Sequence, residues 1–77
     1  MKIVKMPKFS ERLKELRTEK HIKQVEMAHL LECTATHYQQ IEYGHVNIPS
    51  LTLELLADFF SVSTDYLLGR SDDRRTL

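Results

Sequence analysis

The chain is poor in whatever would interrupt helices or cross-link a fold. It has two glycines and two prolines in 77 residues. That is too little punctuation for the many tight turns of a β-sandwich, so long helices are allowed. A single cysteine excludes an internal disulfide, and a reducing cytoplasm is the expected compartment. No apolar run approaches the ~18 residues that span a bilayer, so no membrane partner is expected. The start, MKIVKMPKFSER, holds no hydrophobic stretch of signal-peptide length. Net charge is absent as well, at a formal +0, which argues against nucleic-acid binding by bulk electrostatics.

What remains is an ordinary globular composition. Hydrophobic residues make up 42% and charged residues 29%, which disfavours a disordered chain. A chain of this size buries about 60% of its unfolded surface, enough for one small core in one domain. The neutral total hides a division. Residues 1–31 carry eight Lys/Arg and four Glu, and residues 32–77 carry three Lys/Arg and seven Asp/Glu. No Lys or Arg occurs from Thr34 to Gly69. Cationic contacts to a polyanion must therefore come from the first half.

The pattern divides into an N-terminal arm over 1–7, a domain over 8–70 and a polar, flexible C-terminal tail over 71–77, with Pro7 suited to a helix start. Five helices are expected in the domain. In the first, about Lys8 to Lys20, Phe9, Leu13 and Leu16 share a face. His21 then stands where a left-handed residue ends a helix. The second, about Gln24 to Leu31, offers Val25, Ala28 and Leu31 as its inner face, and Cys33 is read as an inward turn residue. The third runs from Ala35 to Tyr43, with Thr34 as N-cap and Gly44 as its stop. The fourth, about Leu51 to Phe60 with Ser50 as N-cap, has a wide apolar face including Leu53, Leu56 and Phe60. A short fifth is capped by Ser63, carries Tyr66, Leu67 and Leu68, and ends at Gly69. The expected fold class is all-α, a compact five-helix domain.

The third helix has two faces. Tyr38, Ile41 and Glu42 point one way, and Thr36, Gln39, Gln40 and Tyr43 the other. Exposed helix faces more often carry Lys and Glu than uncharged amides and hydroxyls. A helix, a short turn and a second helix of this kind form a helix-turn-helix. The first helix crosses the DNA backbone and sets the second in the major groove. A glutamine amide can bind adenine N6 and N7 with both ends, and threonine offers a hydroxyl and a methyl.

The stretches FSERLKELRTEK, KQVEMAHLL, YQQIEYG and LADFFSVSTDYLLGR, with their spacing, resemble the Cro and lambda-repressor-like helix-turn-helix family of transcriptional regulators. The resemblance covers about Phe9 to Arg70. It implies base contacts from Ala35, Thr36, Gln39 and Gln40. It implies phosphate contacts at Gln24, Thr34, His37, Tyr43 and His45, with Gln24 also able to brace a recognition side chain. Arg17 and Glu42 match a family ion pair between the first and third helices. The sequence departs from the family in Glu32-Cys33 of the turn, in Lys23 before the second helix, and in a recognition helix without Arg or Lys. Phosphate neutralisation supplies most non-specific affinity, so here it falls to Lys and Arg of the first half, to helix N-termini and to protonated His37 and His45. Their protonation below about pH 6.5 is expected to strengthen binding.

Other readings of the same residues are weaker. His29, Cys33 and His37 have metal-ligand spacing, but the turn at Glu32-Cys33 separates them, and no metal or other cofactor is expected. No Gly-rich phosphate loop, Cys–His pair or carboxylate dyad supports an enzyme. Tyr66, Leu67 and Leu68 are expected to form a patch that pairs two copies, the alternative being a monomer in which they only close the core. The expected function is a dimeric repressor of a palindromic operator in double-stranded DNA. The rival is an antitoxin or other protein-interaction module of the same fold acting with a partner protein.

Overall fold

Five helices follow one another through short connections in the computed structural model, which describes residues 7–75. They are α1 (Pro7–Glu19), α2 (Gln24–Leu30), α3 (Ala35–Tyr43), α4 (Ser50–Phe60) and α5 (Thr64–Leu68). Residues 1–6 of the expected arm and 76–77 of the expected tail lie outside the described residues.

Side chains with local capping chemistry set most of the starts. The Thr34 hydroxyl accepts the His37 N–H at 3.0 Å, and the Ser63 hydroxyl accepts the Tyr66 N–H at 2.9 Å. At α2 the cap residue Lys23 has no side chain able to accept, and the Glu26 carboxylate takes the Lys23 N–H at 3.1 Å instead. α4 departs from expectation by one residue. Pro49 occupies the N-cap, so Ser50 is the first helical residue and caps nothing.

All five helices end alike. A left-handed residue follows each: His21, Glu32, Gly44, Ser61 and Gly69. The next N–H then reaches back five residues, from Ile22 to Arg17 O (3.1 Å), Cys33 to Ala28 O (2.9 Å), His45 to Gln40 O (2.8 Å), Val62 to Ala57 O (2.9 Å) and Arg70 to Asp65 O (2.9 Å). This satisfies carbonyls that the helix leaves without partners. At His21, Glu32 and Ser61 a side chain sits where L-residues are strained by about 1–2 kcal/mol. Gly69 has a further reason to be glycine, since a Cβ there would lie 2.5 Å from Lys8 Cβ.

The core is built from Phe9, Leu13 and Leu16 of α1, Met27 and Ala28 of α2, Tyr38 and Ile41 of α3, and Leu56, Ala57 and Phe60 of α4, closed by Val62, Tyr66 and Leu67. Two expectations are corrected by it. Val25 is 65% exposed, and Met27 takes its place inside. The reason is Gln24, whose side chain turns inward to a buried carboxylate and fixes the rotation of a seven-residue helix. Val25, about 100° further round, then faces out. Second, Tyr66 and Leu67 are buried and Leu68 is half-buried, so they form no surface patch. The Arg12 guanidinium lies 4.2 Å and that of Arg74 5.2 Å from the Tyr66 ring centroid. The apolar side chains left exposed include Leu51, Leu55 and Phe59 at four-residue intervals along α4, with Val25 and Leu30 of α2.

Residues 71–75, expected to belong to a flexible tail, are tied down. The Ser63 N–H donates to Arg74 O at 2.9 Å, and the Ser63 hydroxyl to Asp73 O at 3.2 Å. Arg12 donates to Tyr66 O and Ser71 O, both at 2.6 Å. Arg74 reaches Glu15 at 3.1 Å and Glu19 at 2.7 Å on α1. Its hydrogen bond holds the Glu19 carboxyl below the usual carboxylate range, and Arg75 does the same to Asp73.

Candidate nucleic-acid interface

The turn between α2 and α3 sets their packing. Glu32 reverses the chain, Cys33 packs against the core, and Thr34 starts α3. Ala28, 3% exposed, is the small residue that lets the helices approach. α3 then turns Tyr38, Ile41 and Glu42 inward. Thr36, Gln40 and Tyr43 are exposed at i, i+4 and i+7, so they share one outer face.

Glu42 is a buried carboxylate, 1% exposed, and both its oxygens are engaged. Arg17 Nε donates to Oε1 at 3.0 Å, and Gln24 Nε2 donates to Oε2 at 2.7 Å. Arg17 also donates to Ile22 O at 2.8 Å. Gln39 Nε2 in turn donates to Gln24 Oε1 at 3.2 Å. The result is one chain of hydrogen bonds from α1 through α3 and α2 back to α3. A buried ion pair adds little net stability by itself, but its members are costly to separate. Beside it, the Tyr38 hydroxyl is buried with no hydrogen-bond partner among the described residues. Burial, and next the Glu42 charge, push its phenol well above the ordinary tyrosine range.

The remaining site residues separate into two groups. Thr34, His37, Tyr43 and His45 are exposed, and the Tyr43 and His45 rings meet edge to face with centroids 6.0 Å apart. Thr34 Oγ1 is engaged as the cap. Gln24 and Gln39 are half-buried and bonded to each other. Ala35 is half-buried against the core, which withdraws it from the outer row. The link from Glu42 to Gln24 is a contact that sequence spacing does not reveal. Its only signal was a charged residue beside Ile41 on the inward face of α3. His29, Cys33 and His37 belong to no group able to hold a metal ion among the described residues. No described helix is long and apolar enough to cross a membrane.

The chain is similar to an uncharacterized HTH-type transcriptional regulator derived from the SPbeta prophage, YonR, of Bacillus subtilis (strain 168). The two are 42% identical over 60 residues, which cover 78% of this chain and 56% of the relative. The match thus spans little more than half the relative's length. No solved structure matches. Residues 13–67 match the Helix-turn-helix family model, and with α2 and α3 joined by so tight a turn, the chain belongs to this family, in its Cro and lambda-repressor-like form.

Proposed function

We propose that the chain is a transcriptional regulator that binds double-stranded DNA sequence-specifically, acting as a repressor on a palindromic operator as a homodimer in the cytoplasm. The observation that carries this is the exposed face of α3. It offers Thr36, Gln40 and Tyr43 on the second helix of a helix-turn-helix, with Gln39 braced at its edge. In the major groove, Gln40 and Gln39 pair with base edges and Thr36 offers its hydroxyl or methyl. Gln24, Thr34, His37, Tyr43 and His45 lie against the flanking phosphates, fixing register without reading sequence. With no Lys or Arg on α3, discrimination rests on amide hydrogen bonds, and the salt dependence of binding is expected to be shallow.

One recognition helix reads few base pairs, and two copies reach half-sites roughly 34 Å apart. With Tyr66 and Leu67 buried, that pairing needs another surface. The stripe Leu51, Leu55 and Phe59 is suited to it, being apolar, exposed and carried on one helix. Selection from a random duplex pool tests the reading directly. Enrichment of a two-fold symmetric site supports a dimeric sequence reader, and enrichment of a single half-site rejects the dimer. No enrichment by a folded protein rejects unaided DNA reading. It leaves the second reading, an antitoxin-like module. The groove lined by Ile22, Val25, Leu30 and Phe59 favours that reading, as an apolar surface for a partner protein.

A further inference from the structure

We propose that Glu42, buried and out of reach of any ligand on the outer face, fixes which group of the Gln39 amide is spent inside the protein, and so biases the base that Gln39 reads. The proposal rests on the DNA-reading function, but its first step concerns the free protein alone.

Each hydrogen bond in the chain has a direction. A carboxylate accepts and does not donate, whereas a glutamine amide has one end of each kind. Glu42 Oε1 faces the Arg17 guanidinium at 3.0 Å, so Oε2 is left for Gln24. Only the NH2 end of Gln24 can meet it, and it does so at 2.7 Å. The Gln24 carbonyl oxygen must then face the other way. It accepts from Gln39 at 3.2 Å, and that contact can only be made by the Gln39 NH2 group. One N–H of Gln39 is thereby committed. Its carbonyl oxygen and second N–H remain, and these are the acceptor and donor that pair with adenine N6 and N7.

An isolated glutamine has no such preference, since its two amide orientations are nearly equivalent in shape. Here the ambiguity is removed at the far end of the chain, where a donor-only guanidinium meets an acceptor-only carboxylate. Glu42 is therefore a positioning residue that acts through Gln24.

Glu42→Gln inverts the whole series. Arg17 can only donate, so it takes the oxygen of the new amide, whose NH2 end then faces Gln24. Gln24 must turn its oxygen inward and its NH2 toward Gln39. Gln39 answers with its own oxygen, spending one of its two lone pairs, and presents both N–H groups outward, so its free face becomes richer in donors. Such a group suits the N7 and O6 acceptors of guanine better than the mixed donor and acceptor edge of adenine.

The first test uses NMR of the free full chain, following exchange with water of the side-chain amide protons of Gln24 and Gln39. In the wild type both should exchange slowly, with one N–H of Gln39 protected. In Glu42→Gln, Gln39 should lose protection while Gln24 keeps it. Rapid exchange of Gln39 in the wild type, or a pattern that Glu42→Gln leaves unchanged, overturns the proposal. If Glu42→Gln does not fold, Gln24→Ala serves, since it keeps the Arg17–Glu42 pair. It should release Gln39 protection, and retained protection overturns the proposal equally.

The second test is base selection by the same variants. A purely structural Glu42 would weaken binding to all sequences alike. Inversion should instead change preference at a single base position, from adenine toward guanine, by on the order of tenfold. Uniform weakening overturns the proposal. Amide protection as expected, with no sequence selected even by the wild type, would uphold the inversion in the protein and reject the DNA-reading function.

Discussion

The turn between α2 and α3 and the turn between α4 and α5 are nearly the same object. Glu32 and Ser61 are left-handed at φ 55 and 56. Cys33 and Val62 come next, each donating back to an alanine carbonyl at 2.9 Å. Thr34 and Ser63 then cap the next helix through their hydroxyls. The helices beyond the two turns differ. α3 has nine residues and keeps an outer row of Thr36, Gln40 and Tyr43 in solvent. α5 has five residues, buries Tyr66 and Leu67, and has Arg12 and Arg74 over its tyrosine ring. One turn serves an open helix and a closed one. The turn supplies an angle between helices, and the display of the second helix decides what the unit can do.

The largest effects should come from breaking what each second helix buries. Arg17→Ala leaves Glu42 inside without its cation and should cost about 3–5 kcal/mol. Leu67→Ala empties a fully buried site behind α5 and should cost about 2–5 kcal/mol. Urea unfolding measures both. A loss below about 1 kcal/mol in either would mean that helix is not held as described.

The open helix should respond oppositely. Gln40→Ala should leave stability within about 0.5 kcal/mol while weakening specific binding by about 1–3 kcal/mol at one base position. Unaltered discrimination among operator variants would remove Gln40 from the reading face.

Smaller effects sharpen the likeness of the turns. Glu32→Gly and Ser61→Gly relieve left-handed strain in the folded state but add freedom to the unfolded chain. Each should raise stability by up to about 1 kcal/mol, and by similar amounts. A gain at one site and a loss at the other would show that the two turns are not equivalent. The smallest effect concerns the segment over α5. Glu19 has a lowered folded pKa because Arg74 binds it. Its contribution is therefore present above its ordinary value of 4.5 and lost as the pH falls through the lower folded value. Arg74→Met should flatten the acid side of the melting-temperature profile. An unchanged profile would mean the pair is already screened by solvent.

The legibility of these features in the sequence depends on their range. Thr34, Gly44, Ser63 and Gly69 are readable because capping and left-handed stops are decided by bonds that reach no further than five residues. The inner face of α2 is not. Over seven residues, Val25-Ala28-Leu31 and Met27-Ala28-Leu31 both pass for a stripe. The choice is made by Gln24 binding a carboxylate 18 residues away. The burial of Tyr66 is hidden for a similar reason. Its covering arginines come from α1 and from a segment whose composition, SDDRR, reads as solvated. The amide row of α3 is legible because its neighbours in sequence are also its neighbours on the helix. That Gln39 is bonded within the protein while Gln40 stands in solvent is not, because the difference lies in what α2 presents to each.

That difference bears on how such a domain can change over generations. Thr36 and Gln40 touch neither the buried carboxylate nor the core, so substitutions there can accumulate without a folding penalty. Gln39 is coupled to Gln24, Glu42 and Arg17 at once. A lineage acquiring a new target sequence would drift first at positions 36 and 40, while position 39 moved only in company.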